Sequence, residues 1–496
     1  MPKCAGDPVA GSAVLERADE PEIIQGGMGV AVSGWRLARA VSSRGQLGVV
    51  SGTALDVVLA RRLQSGDPGG EVRRALARFP DRAVADEVLA AWFVPGGKPS
   101  DGAFASLPMY TAAPARRRHM LAVLGGFVEV FLAREGHDGR VGINFLEKIQ
   151  LPTPATLYGA LLAGVDYVLM GAGIPRDVPS LLDGLTRHAP VRLPLHVEGA
   201  AAADAFELSF DPADVLAAPP GPLPRPRFLA IVASATLAQS LARHGARVDG
   251  FIVEGPTAGG HNAPPRGPLT LSLGGEPVYG SRDVVDLARM RALGLPFWLA
   301  GSSASPERLR EARAEGAAGV QVGTLFAFCE ESGIEPSLRA RVLDQARRGQ
   351  ARVFTDPLAS PTGFPFKVLQ VEGTLSEARV YDARSRRCDL GYLRELYRRA
   401  DGTLGYRCPG EPVEDYLRKG GAIEDTRGRK CICNGLVATV GLGQWREGGP
   451  EPAILTSGDD VRGVARLLGG GTRYSASDVV AYLTDGPGTA PAQAAP

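Results

Sequence analysis

Short, mostly apolar runs recur along the chain, each ending in small residues and most followed by a stretch with helical spacing of apolar positions. They are Ile23–Met28, Leu47–Ser51, Val141–Phe145, Tyr167–Met170, Leu229–Val232, Phe251–Val253, Phe297–Ala300 and Val320–Val322. Strands that are apolar on both faces need cover on both faces, as in a parallel sheet flanked by helices. Two helical partners are explicit. ATLAQSLARH (235–244) follows the fifth run, and SPERLREARAEG (305–316) follows the seventh, opening Ser-Pro-Glu and closing on glycine. Eight such units predict a closed (β/α)8 TIM barrel in preference to an open doubly wound sheet. The small residues at the strand ends then surround one mouth.

Two insertions interrupt the repeat. Residues 53–140 carry helical stretches at Glu71–Phe79, Ala83–Trp92 and Arg117–Ala133. Residues 176–228 contain LPLHVEG (193–199), which reads as an accessory strand, and end in the stiff linker APPGPLPRPR (218–227). The expected organisation is an extension at 1–20, a barrel at 21–375 and a C-terminal region at 376–484. The tail DGPGTAPAQAAP (485–496) is expected to be disordered.

Composition narrows the function. The 496 residues carry a net charge of +1, so no global field recruits nucleic acid or anionic membrane. Arg116-Arg117-Arg118 sits in a helical pattern and reads as a solvated face. The N-terminal residues lack a signal-peptide core and no run is long enough to span a membrane, so a cytoplasmic protein is expected. A homodimer stays open, with no patch diagnostic of one. Six cysteines make no disulfide framework. No His-Glu-x-x-His, Gly-x-Ser-x-Gly or Walker loop is present.

Candidate chemistry gathers at the predicted mouth. In VEGPTAGGHNAPPRG (253–267) a buried strand ends in an acid, and a glycine-lined loop carries His261. Gly259 and Gly260 let backbone approach a ligand closely, and an imidazole near neutral pKa takes or gives a proton. In IIQGGMGV (23–30), Gln25, Gly26, Gly27 and Met28 end the first strand; Val32 stands where a dinucleotide fingerprint needs its third glycine. In a barrel this loop lies against a planar ring, with backbone amides and the Gln25 amide as donors. Asn144 ends the third strand, facing the mouth. LAGSSASPERL (299–309) and VQVGTLFAF (320–328) place Gly301, Ser302, Gly323 and Thr324 after the last two strands, the usual phosphate site of this fold. Ser305 also reads as a helix cap, without conflict.

In their order and spacing, IIQGGMGV, VGINFL, VEGPTAGGH, LAGS and VQVGT resemble the nitronate monooxygenase (2-nitropropane dioxygenase-like) family, FMN-dependent barrels that include flavin enoyl-acyl-carrier-protein reductases. The resemblance covers about residues 20–330. PLASPTGFPFKV (357–368) is similar to the subgroup related to the enoyl reductases of polyunsaturated fatty acid and polyketide synthases. The resemblance implies FMN, with Gln25 and Met28 at the isoalloxazine, Asn144 at flavin or substrate, and Gly301, Ser302, Gly323 and Thr324 at the phosphate. It implies His261 as base on nitronates or nitroalkanes, or as proton donor in enoyl reduction. Flavin carries the electrons; the protein supplies orientation and one titratable group. Many relatives read Glu-Ala-Gly-Gly-His, whereas here Pro256 and Thr257 intervene after Glu254-Gly255, which alters the loop around the substrate.

Three functions follow as expectations. The first is an FMN-dependent oxidation of nitroalkane-like small molecules with O2, giving carbonyl and nitrite. The second is an NAD(P)H-dependent enoyl reductase acting on acyl chains held by a carrier protein. The third is a non-catalytic FMN-binding subunit of a biosynthetic complex. Near the C-terminus, Cys388, Cys408, Cys431 and Cys433 offer four thiolates to a structural zinc, although spacings of 20 and 23 match no standard finger. Buried thiols or a redox-labile pair are the alternatives.

Overall fold

The computed structural model describes residues 20–243 and 247–486. Residues 1–19, and 487–496 of the expected tail, lie outside the described residues. All eight apolar runs are parallel strands of one sheet: β1 (Ile23–Gln25), β2 (Gly48–Ser51), β3 (Val141–Leu146), β4 (Tyr167–Gly171), β5 (Arg227–Val232), β6 (Gly250–Glu254), β7 (Phe297–Ala300) and β8 (Gly319–Val322). They pair in the order β1-β8-β7-β6-β5-β4-β3-β2. The ring closes between the two ends of that order. Gln25 N–H donates to the Leu47 carbonyl at 2.9 Å, and Leu47 N–H to the Ile23 carbonyl at 3.1 Å. The fold is a (β/α)8 barrel.

Alternation of side chains along each strand splits the core into two layers. Ile24, Val49, Leu169, Leu229, Ile252 and Trp298 fill the barrel interior. The opposite strand faces join the surrounding helices in one continuous outer core. The Trp298 indole N–H donates to the Pro21 carbonyl at 2.7 Å, so the chain before β1 stops the lower end.

The first insertion is helical: Leu55–Gln64, Glu71–Leu76, Arg82–Trp92 and Arg116–Arg134. The last packs against Thr153–Leu162 at glycine contacts; a Cβ on Gly159 would stand 1.8 Å from the Val123 carbonyl oxygen. The basic run is corrected here. Arg116 and Arg117 pair with Glu87 at the surface, but Arg118 is buried and pairs with Asp56 at 2.6 Å. A helix turns about 100° per residue, so the third arginine of a run faces inward. No helix of the described residues is long and apolar enough to cross a membrane.

The accessory strand of the second insertion is divided. Val191–Pro194 pairs with Glu207–Phe210, while Val197–Glu198 joins Glu395–Arg398 of the C-terminal region. Beyond the barrel, β9 (Val353–Asp356) and β10 (Phe366–Leu369) form an antiparallel hairpin. The helix Ile432–Thr439 follows, and its Ile432, Leu436 and Val437 join the outer core of the barrel. The C-terminal region is therefore packed onto the barrel mouth.

Candidate active site

The loops after the strands enclose a cleft of about 1650 Å³, counting its opening to solvent. Gly26, Gly27 and Met28 follow β1, Asn144 lies in β3, and Gly259, Gly260 and His261 follow β6. Gly301 and Ser302 follow β7, with Gly323 and Thr324 after β8, and all eleven of these residues line the cleft. Gln25 is placed elsewhere. Its side chain is wholly buried in the seam that closes the barrel, accepting from Val49 N–H at 3.0 Å and donating to the Gly26 carbonyl.

His261 is stapled at several points. Its Nε2 and the Ser360 hydroxyl are hydrogen-bonded at 2.7 Å. Its ring tilts against Phe366, with centroids 4.7 Å apart. The backbone on either side is pinned to β10: Lys367 N–H donates to the Gly260 carbonyl and Asn262 N–H to the Pro365 carbonyl, both at 2.9 Å. Ser360 is fully buried and also bonded to Thr362 at 2.9 Å. PLASPTGFPF thus supplies the histidine's partner, which no local pattern around His261 announces.

Burial sets the proton inventory. It lowers the His261 pKa to about 4, so the imidazole is neutral at pH 7. It raises the Glu254 carboxyl to about 7, so this cleft-lining acid, unlike His261, titrates near neutrality. Glu254 was visible in the sequence only as the acid ending a strand.

The glycines of the loop serve two neighbours. Gly260 adopts φ +83°, and a Cβ on Gly259 would stand 2.9 Å from the backbone of Ser457 and Gly458. Those residues belong to a C-terminal strap that crosses the mouth. Gly260 N–H donates to Thr456 Oγ1 at 2.8 Å, and Gly458 N–H to Thr324 Oγ1 at 3.1 Å. Asp460 lines the same end of the cleft, its carboxyl bonded to Thr324 and its pKa raised by burial. Sequence reasoning placed none of the strap at the site, because it lies more than 130 residues beyond Thr324.

Two buried side-chain oxygens in the cleft wall lack a protein partner: Asn144 Oδ1 and Gln321 Oε1. Buried polar atoms are almost always satisfied, so this pair marks where a ligand's polar edge belongs. Gly27 sits directly over Asn144, where a Cβ would come 2.3 Å from the Asn144 Cβ. A flat ring with donors and acceptors on one edge fits the unpaired amides. The glycine-hydroxyl loops Gly301-Ser302 and Gly323-Thr324 lie at the end where its phosphate would belong. Asp460 beside Thr324 is compatible with that anion in its protonated form, toward which burial moves it.

The four clustered cysteines are brought around one small cavity next to the cleft. Among the described residues no group of three or more histidine, cysteine, aspartate or glutamate side chains is arranged to hold a metal ion. The four thiolates that could be offered to a structural zinc thus do not form such a group.

Fold and site together define a (β/α)8 barrel with one histidine presented at a glycine-lined mouth. In sequence, residues 227–354 match the nitronate monooxygenase family, a stretch containing the His261, Gly301 and Gly323 loops. The resemblance seen in the motifs thus recurs over β5 to β9. No curated protein matches the chain. Similar solved structures include FabK from Thermotoga maritima, at 17% identity over 93% of this chain and 91% of that one, with a TM-score of 0.45. A nitroalkane oxidase from Streptomyces ansochromogenes is 15% identical over 93% and 94%, TM-score 0.43. The enoyl reductase domain of MlnA, from the macrolactin biosynthesis cluster of Bacillus amyloliquefaciens, is 11% identical over 95% of each chain, TM-score 0.45.

Proposed function

We propose that the chain is an FMN-dependent oxidoreductase of the nitronate monooxygenase type, acting on a small nitroalkane or nitronate. The observation that carries this reading is His261: a neutral, hydrogen-bonded imidazole in the cleft, within the segment that matches the family. When bound, FMN supplies the electron transfer to and from substrate and oxygen. Asn144 and Gln321 would hold the polar edge of the ring, Met28 and Gly27 its face, and Gly301, Ser302, Gly323 and Thr324 its phosphate. His261 is uncharged at neutral pH, its pKa lowered to about 4 by burial, so the lone pair that a base needs is present. Ser360 holds the ring through Nε2, which makes Nδ1 the nitrogen that would take the proton.

A second reading, an NAD(P)H-dependent enoyl reductase acting on carrier-bound acyl chains, is favoured by one observation. Glu254, at about 7, can hold the proton that such a reaction must deliver, whereas His261 at about 4 cannot. One experiment separates the two. The purified, FMN-loaded chain is followed by absorbance under anaerobic conditions with NADPH or with a nitronate. Bleaching by the nitronate and indifference to NADPH supports the oxygenase. Rapid bleaching by NADPH selects the reductase and calls for enoyl thioesters. Failure to retain flavin overturns both.

A further inference from the structure

Behind one wall of the cleft lies a side cavity of about 1410 Å³, counting its opening to solvent. Segments remote in sequence form most of it: 148–152 after β3, 195–200 of the second insertion, and 391–396 of the C-terminal region. Tyr392 and Leu393 are the partition, because they line this cavity and the main cleft alike. Thr362, on its wall, is bonded at 2.9 Å to Ser360, the partner of His261. The cavity therefore adjoins the active site without being part of it.

The charged side chains on its walls are unequally engaged. Glu198 and Glu395 are both taken up by the Arg407 guanidinium, at 2.6 and 2.8 Å. His196 Nδ1 lies 3.1 Å from Glu147 Oε1. The two cations, in contrast, keep donors to spare. Half-buried Arg394 donates from Nε to the Gly391 carbonyl at 3.0 Å and from Nη2 to the Tyr110 carbonyl. Among the described residues its Nη1 has no acceptor and no carboxylate pairs with it. Lys148 Nζ, at the exposed rim, makes no hydrogen bond and stands 3.8 Å from Glu147, a carboxylate it shares with His196. A guanidinium drawn out of water without an anion is costly, and an anion from outside relieves that cost. Much of the remaining lining is apolar, with Leu151, Leu195, Val197 and Leu396. An apolar pocket with few polar groups is the usual make-up of a small-molecule site.

We propose that the side cavity binds an organic acid, its carboxylate on Arg394 and its aliphatic body along the leucine-lined wall. The planar guanidinium matches a carboxylate, and the acids already on the walls do not compete for it because Arg407 holds them. Lys148 adds positive charge at the rim, where it draws the anion in. This site does not depend on the flavin assignment.

The test uses the full chain as purified and isothermal titration with octanoate, octanol and acetate. Octanoate is expected to bind at a single site, with octanol and acetate each weaker by about tenfold or more. Arg394→Met should weaken octanoate by about tenfold or more and leave octanol as it was, with the unfolding midpoint followed alongside. Should Arg394→Met not fold, Arg394→Lys takes its place; it keeps the charge, loses the planar fork, and should weaken octanoate by about threefold or more. Asn144→Ala, in the main cleft, should bind octanoate as the parent does. No octanoate binding, octanol as tight as octanoate, or octanoate affinity unchanged in the Arg394 variant that folds would each overturn the proposal. So would a loss in Asn144→Ala, which would put octanoate in the main cleft.

Discussion

At the scale of single residues the site turns on how burial divides protons between the acid that ends β6 and the histidine of the loop that follows it. The His261 pKa falls to about 4, below its value in an unfolded chain, so the neutral ring contributes stability above about pH 6.5 that is lost as pH falls toward 4. Glu254 is displaced the other way, to about 7, so its contribution is complete below about pH 4.3 and is lost as pH rises through 7. Glu254→Gln should therefore gain stability over the parent on going from pH 5 to pH 8, on the order of 2 kcal/mol, read from urea unfolding at both values. An equal difference at the two pH values would show that Glu254 does not titrate there. Ser360→Ala removes one hydrogen bond from Nε2. It should cost about 1 kcal/mol of stability and about tenfold in kcat/KM, with KM little changed, because it loosens the base without touching the rest of the cleft. His261 could be read from the sequence because two glycines precede it at a strand end. Ser360 could not, since it lies 99 residues away and its own surroundings read as a turn. Gln25 shows the opposite failure: it ends an apolar strand as a ligand contact would, yet its amide completes the ladder where β1 and β2 close the barrel.

At the scale of elements, the strands were legible because parallel strands buried on both faces are continuously apolar, and all eight lie where those runs lie. Their lengths are short, three to six residues, so periodicity alone carries little and the repetition of the unit decides. Helix contacts were less visible. Gly125, Gly126 and Gly159 look like weak points in helical stretches, but each marks a close approach. Backbone carbonyls stand within 2.6 Å of where their Cβ atoms would be. Gly159→Ala should therefore destabilise the protein despite alanine's better helix propensity, by about 2 kcal/mol or more, because Val123 in the facing helix has to move. Chemical denaturation reads this directly. A stabilised variant would mean the two helices are not packed this closely.

At the scale of the whole molecule, the C-terminal region set apart in the sequence at 376–484 completes the mouth of the barrel. Core residues Ile432, Val437, Ile454 and Val479 belong to the same cluster as the barrel's outer layer. The strap Leu455–Gly458 lies across the cleft between the histidine loop and the expected phosphate end. No local pattern in ILTSGDD foretells that position, because it depends on contacts with Gly260 and Thr324 that are remote in sequence. Gly458 is the position where this arrangement is most exacting. A Cβ there would come 2.8 Å from Thr324 Oγ1 and 3.0 Å from the Asp460 carboxylate, with the Thr257 carbonyl oxygen at 3.1 Å. Gly458→Val should push the Gly458 end of the strap off the β8 loop while Leu455, at its other end, stays in the outer core. The unfolding midpoint should then change little, and the dissociation constant for FMN, measured by fluorescence titration, should rise at least tenfold, about 1.4 kcal/mol. An unchanged FMN affinity with the strap displaced would mean that Thr324 and its neighbours do not hold the phosphate. In that case the anion would have to sit on the Gly301-Ser302 loop alone, against the N-terminal side of the helix Pro306–Ala314.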